Sequence, residues 1–279
     1  MQSDKIQAAV DKQEESTLPS SSQEPPDDFD LLEAISKGED ECEKRTDEWL
    51  KQAGEAAPKC MENLSTVLLI AEMVGACFWN CPGSSYEAHL VQYMAARASS
   101  FGRAALRLGR LGFYDEALSL VRSLGEIANL LTLFTFDSEA MVEWKRSDWH
   151  SRQRSFRPSQ VRRRALERAN FVPMGEEDYR LLCELSTHPV PELRPQLYNP
   201  HGQVTTGGTF QPAGMLLVLN ETSVLMSVIA LFAAKLCGVP KDPLRNIKEA
   251  AVECAKEVGN VRLTNYPAIL QKISAGESP

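Results

Sequence analysis

ALSLVRSLGEIANLLTLF, Ala117 to Phe134, decides the fold class. At about 100° per residue, Ala117, Leu120, Val121, Leu124, Ile127 and Ala128 fall on one face. Ser119, Arg122, Ser123, Glu126 and Asn129 form a polar stripe opposite. At Leu130, Leu133 and Phe134 the stripe closes, so the end of the helix is apolar all round. An amphipathic helix of this length needs other helices to cover it, and the sequence on both sides supplies them.

Helical patterns span Phe29–Ala53, Cys60–Trp79, Tyr86–Leu111 and Tyr114–Phe136. Asp115 and Glu116 suit the positive N-terminus of the last of these. Shorter helices follow at Pro158–Arg168 and Gly175–His188, the second ended by Pro189 and Pro191. Two more complete the chain, one from Ala213 to Ala234 and one from Pro243 to Val258. HGQVTTGGTFQP, from His201, carries the one β signal: Val and Thr, then Gly207–Gly208, then Thr and Phe. The expected fold is all-α, a bundle of seven to nine helices with a small hairpin at 202–211. Residues 1–28, rich in Ser, Gln, Glu and Pro, read as a disordered tail. Residues 29–275 read as a single helical domain.

The stretch Ala213–Ala234 is long enough to cross a bilayer. Asn220, Glu221, Thr222 and Ser223 lie at its middle, and a central carboxylate costs about 2.5–3.5 kcal/mol on insertion scales. A helix buried in a soluble core fits it better. The N-terminus has no apolar run of the kind a secretory signal needs, and its acidity does not suit a transit peptide. Seven cysteines, most of them inside apolar patterns, suggest reduced thiols and a cytoplasmic setting. Cys77 and Cys81 alone do not make a metal site, and no phosphate-loop, dinucleotide or nucleophile-elbow motif is present, so neither metal nor cofactor is expected.

Charge is unevenly distributed. The chain is −8 overall, and residues 1–60 hold sixteen acids against seven bases. Lys145 to Arg168 holds nine Lys and Arg against Asp148 and Glu167. Trp144, Trp149 and Phe156 are interleaved with these cations. Lys145, Arg146, Arg152, Arg154, Arg157, Arg162, Arg163 and Arg164 would neutralise phosphates while the rings stack on bases. The other reading is ionic: this segment pairs with the acidic N-terminal region, in the same chain or in a second copy as a homodimer. In the preceding helix Arg103, Arg107 and Arg110 share a face with His89 and Ser99, either as a solvated basic stripe or as a wall facing phosphate. The Arg122–Glu126 stripe is either a solvated face or one wall of a pocket. The helix EEDYRLLCELSTH offers Tyr179, Cys183 and Ser186 on one face and Arg180 with Glu184 on another. His188 at its end is either a favourable charge at the helix C-terminus or an acid–base group.

GRAALRLGRLGFYDEALSLVRSLGEIANLL, followed by YRLLCELSTH, resembles a bacterial family of uncharacterised helical proteins. The residues carrying the likeness are Gly112, Tyr114, Glu116, Ala117, Arg122, Ser123, Leu124, Glu126, Tyr179, Arg180, Ser186 and His188, and it covers about residues 60–235. That family in turn is similar to the HEPN helical bundles of toxin and abortive-infection systems. Many of those cut RNA through an Arg and a His four to six residues apart on one helix. Here Arg180 and His188 have seven residues between them, about 80° and two turns apart on a helix. The resemblance implies a cytoplasmic RNA-binding or RNA-cleaving protein of a bacterial defence or stress system. If it is an enzyme, the resemblance implies a metal-independent ribonuclease. His188 would act as general acid or base, Arg122 or Arg180 would stabilise the phosphate, and Glu126 would orient the arginine. Asn129, Tyr179 and Ser186 would line the pocket. The alternative is a non-catalytic interaction module whose basic segment binds an acidic partner or its own N-terminus.

Overall fold

A computed structural model of the chain describes residues 30–52, 56–79, 86–186 and 207–257. The chain divides into two compact units, Met1–Ala34 and Ile35–Pro279. Of the first, only its end is described: Asp30 Oδ1 accepts from the amides of Leu32 and Glu33 at 2.9 and 3.1 Å, the cap of a helix start. The proposed tail at 1–28 lies outside the described residues.

Among the described residues there are ten helices and no strand. They are α1 (Leu31–Gln52), α2 (Ala56–Gly75), α3 (Tyr86–Arg110), α4 (Tyr114–Phe136), α5 (Ser138–Arg146), α6 (Trp149–Ser155), α7 (Pro158–Ala169), α8 (Glu176–Ser186), α9 (Pro212–Leu236) and α10 (Lys241–Glu257). The all-α expectation holds. The count exceeds seven to nine because the charged stretch after α4, which has no apolar period, still folds into α5 and α6. Each is started by an aspartate. Asp137 accepts from the Ala140 amide at 2.9 Å and Asp148 from the Ser151 amide at 2.7 Å. The amide bond and the Ser151 hydroxyl, with Arg154 and Arg152 nearby, hold the Asp148 carboxyl below its usual range.

The axis of the bundle is α9, packed by α2, α3, α4 and α10. Every residue from Glu221 to Ala234 is buried. It is therefore apolar on all sides because helices cover all its sides. Both α4 and α9 are long and apolar enough to cross a membrane, but most of each is buried inside the fold. The Ser223 and Ser227 hydroxyls in the middle of α9 donate to the carbonyls of Leu219 and Ser223, both at 2.7 Å, so these polar groups are satisfied within the helix.

The expected hairpin is not a feature of the described residues. Its first half lies outside them, and Gly207–Gln211 is irregular chain. The local bonding gives the reason. The Thr209 amide donates to the carbonyl of Gly112 at 3.4 Å, and the Gln211 amide to the Tyr114 hydroxyl at 2.9 Å. Gly208 lies so close to the α3–α4 turn that a Cβ there would stand 1.7 Å from the Leu111 carbonyl oxygen. Gly208 thus lets the backbone cross closely over the turn. At the turn itself Gly112 takes a φ of +84°.

Candidate functional site

Two helices distant in sequence meet along α4's polar stripe. The Ser119 hydroxyl donates to the carbonyl of Ser186 on α8 at 2.6 Å. One turn on, Arg122 Nη1 donates to Glu126 Oε1 at 2.7 Å and to the Tyr179 hydroxyl at 2.5 Å. Tyr179 donates in turn to the same Glu126 oxygen at 3.1 Å. The three side chains close a triangle of charge-assisted bonds, stronger than the isolated i, i+4 pair that the sequence suggests. Burial drives the Tyr179 phenol up to about 12, with the Glu126 charge in support, so the hydroxyl keeps the proton it donates. Burial alone would lower the Arg122 guanidinium, but Glu126 and Tyr179 outweigh it and hold it above its usual value.

A second guanidinium covers the other part of this cluster. Arg162 on α7 lies 4.4 Å from the centre of the Tyr179 ring, Arg122 5.2 Å. Arg162 is 6% exposed and pairs with Glu176 at the start of α8. It belongs to the α7–α8 packing, and its side chain is not open to a phosphate in solvent. Arg163 pairs with Glu167 at 3.8 Å and Arg164 with Glu143 at 2.9 Å. Half of the basic segment is therefore tied into the fold's own ion pairs.

Two more of the segment's arginines, Arg152 and Arg157, border a hollow. Between α3, α4 and the α5–α7 segment lies a cavity of about 470 Å³. Ser123 and Glu126 form its α4 wall, and Trp144, Trp149, Phe156, Arg152 and Arg157 come from the basic segment. Arg97 and Phe101 line it from α3, with the Arg97 guanidinium 4.7 Å from the Phe101 ring centre. Trp149 is 66% exposed at the rim, whereas Trp144 packs on Phe134 at 5.6 Å. Arg97, Arg152 and Arg157 make no ion pair among the described residues.

The expected site residues divide accordingly. Arg122, Glu126 and Tyr179 come together, but of the three only Glu126 lines the cavity; Ser186 meets α4 through its carbonyl, and its hydroxyl donates back to the Leu182 carbonyl. Arg180 does not join them; its side chain is 72% exposed, 3.8 Å from Glu184 on the same helix. Asn129 reaches the cavity wall, but both ends of its amide are engaged, donating to the Met174 carbonyl at 2.9 Å and accepting from the Met174 amide at 3.0 Å. It pins the loop before α8. His188 lies outside the described residues. Lys145 is half-buried, while Arg146 and Arg154 are exposed away from the cavity lining.

The Arg103–Arg107–Arg110 row is ion-paired, with Arg103 and Arg107 still largely in solvent. Arg103 pairs with Glu72 at 3.0 Å, Arg107 with Glu43, and Arg110 with Glu43 at 3.0 Å and Asp47 at 2.9 Å. The α1 acids thus find their cations on α3. Ser99 is buried, donating to the Leu68 carbonyl at 3.2 Å, and does not share that face. Arg97 and Phe101 are the lining residues that the sequence reading missed. With Met94 they recur at i, i+3 and i+7, a face whose spacing is visible once the neighbouring arginine row is set aside. Among the described residues no group of His, Cys, Asp and Glu could hold a metal ion. Comparison with known proteins finds no matching family model, no matching curated protein and no matching solved structure.

Proposed function

We propose that this chain is a HEPN-like RNA-binding protein of a bacterial stress or defence system, and that single-stranded RNA enters the cavity between α4 and the α5–α7 segment. One observation carries the reading. Three rings and two arginines of the basic segment (Trp144, Trp149, Phe156, Arg152 and Arg157) border the same hollow as Ser123, Glu126 and Asn129 of α4. Exposed rings give unpaired bases a stacking surface, and unpaired guanidiniums give phosphates a partner. The hollow's size suits a nucleotide, not a duplex. Cleavage by the same site would require His188 as the proton-transfer group beside Arg122.

The test is anisotropy of a labelled single-stranded RNA across a salt series. The expected result is an affinity that falls steeply with salt, with a log–log slope about 1.4 units shallower in the Arg152→Ala/Arg157→Ala double variant. Trp149→Ala should weaken binding at every salt concentration. Affinity that does not change with salt, or no affinity, overturns the proposal. Product analysis of the same mixtures, with His188→Ala alongside, tests cleavage.

A second reading draws on the ion pairs. Arg163, Arg164 and Arg168 already hold Glu167, Glu143 and Asp137, a chemistry that suits an acidic protein partner as well. Under that reading an acidic peptide would displace the RNA at equal charge, and Trp149→Ala would leave peptide binding unchanged.

A further inference from the structure

We infer that the cavity reads a guanine base, and that Glu126 is the residue that reads it. This rests on the RNA reading above and adds base selectivity to it. The geometry of the carboxylate carries the argument. Glu126 Oε1 already accepts two hydrogen bonds, from Arg122 Nη1 at 2.7 Å and from the Tyr179 hydroxyl at 3.1 Å. Those bonds fix the carboxylate's rotation. Oε2 makes no hydrogen bond among the described residues, and Glu126 lines the cavity. The carboxylate therefore keeps one oxygen with no partner among the described residues, and a single oxygen can be chelated by two parallel N–H donors.

Among the four RNA bases, guanine alone sets two N–H donors side by side on its pairing edge, N1–H and the 2-amino group. Adenine and cytosine place one amino group beside a ring nitrogen whose lone pair a carboxylate repels. Uracil places its single N–H between two carbonyl oxygens, with the same result. A carboxylate held in one orientation thus favours guanine and disfavours the other three. The rest of the lining suits the same ligand. Trp149 offers an exposed ring face to a purine, Phe156, one face of which carries the Arg164 guanidinium at 4.9 Å, adds to the wall, and Arg97, Arg152 and Arg157 offer donors to the 6-oxo group and the phosphate. The arginines hold no carboxylate, so a ligand phosphate displaces no existing pair.

The experiment compares four labelled oligouridine strands that differ only in a central G, A, C or U, with free 5′-GMP as competitor. The expected result is about tenfold tighter binding of the G strand. Glu126→Gln turns an acceptor into an amide and should reduce the G strand to the level of the others. Glu126→Asp keeps the charge but withdraws the oxygen, and should do the same. Thermal melting of both variants checks that they fold, and Asp serves if the Gln variant does not. Equal binding of the four strands overturns the inference and leaves the RNA reading intact. A G preference that survives both substitutions also overturns the assignment to Glu126. Failure of every strand to bind overturns both proposals. Competition by 5′-GMP supports a free guanine nucleotide as ligand. A G preference without such competition supports the guanine as part of an RNA chain.

Discussion

Tyr179 shows how much one residue's surroundings decide. Its ring lies against two guanidiniums and its hydroxyl both accepts and donates. Tyr179→Phe keeps the ring contacts and removes both bonds, which leaves Arg122 with Glu126 alone. The expected cost is about 1–2 kcal/mol in urea unfolding, and a larger loss for Tyr179→Ala. Asp115 makes a different case. Burial, with Glu116 beside it, lifts its carboxyl to about 6, against the favourable field of the α4 N-terminus. Its unfolded value is near 3.8, so between about pH 4 and 6 the folded state holds more protons than the unfolded one. Stability from this group is therefore fully present at low pH and lost as pH rises through that window. Asp115→Asn should stabilise at pH 7 by about 1 kcal/mol, a figure reduced for partial exposure, and should flatten the pH profile of the melting temperature. An unchanged profile would show that Asp115 titrates normally.

At the scale of elements, α4 and the loop before α8 pack against each other across a glycine. A Cβ on Gly125 would stand 2.3 Å from the Met174 thioether carbon. Gly125→Ala is expected to cost about 1–3 kcal/mol even though alanine is the better helix former. Met174→Ala in the same chain should recover part of that loss, a coupling that a double-mutant cycle measures directly. This contact marks the boundary of what the sequence makes legible. The 3.6-residue period of Ala117–Phe134 is a local property, and it gave the helix and most of its buried face, although Leu120 and Ile127 are only half-buried, Leu118 is fully buried and Asn129 of the polar stripe is buried too. The α4–α8 meeting was also inferable, since a polar stripe on an otherwise apolar helix needs company. Pairings between distant elements were not. Nothing in the spacing of Arg103, Arg107 and Arg110 says that Glu43, Asp47 and Glu72 answer them. Nothing in RRRALER says that Arg162 is buried while Arg163 is exposed, because the turn of α7 that decides it depends on where Tyr179 lies. Gly207–Gly208 is ambiguous for the same reason. A glycine pair fits a hairpin turn and a close backbone crossing equally well, and the position of Leu111 shows the crossing at Gly208.

For the whole molecule, stability depends on α9. Phe232 is fully buried, with its ring 6.1 Å from that of Phe136 on α4. Phe232→Ala should cost about 3–5 kcal/mol and lower the melting temperature more than any substitution at the cavity rim. Trp149→Ala, at an exposed position, should change it little. A binding defect in a rim variant can then be separated from a folding defect by a melting curve alone. The placement of the indoles has a practical consequence. Of the chain's four tryptophans, Trp144 and Trp149 line one hollow, Trp149 at its rim. Any molecule that stacks there must alter their emission, so this protein carries its own optical reporter, and a titration can be followed without attaching a dye.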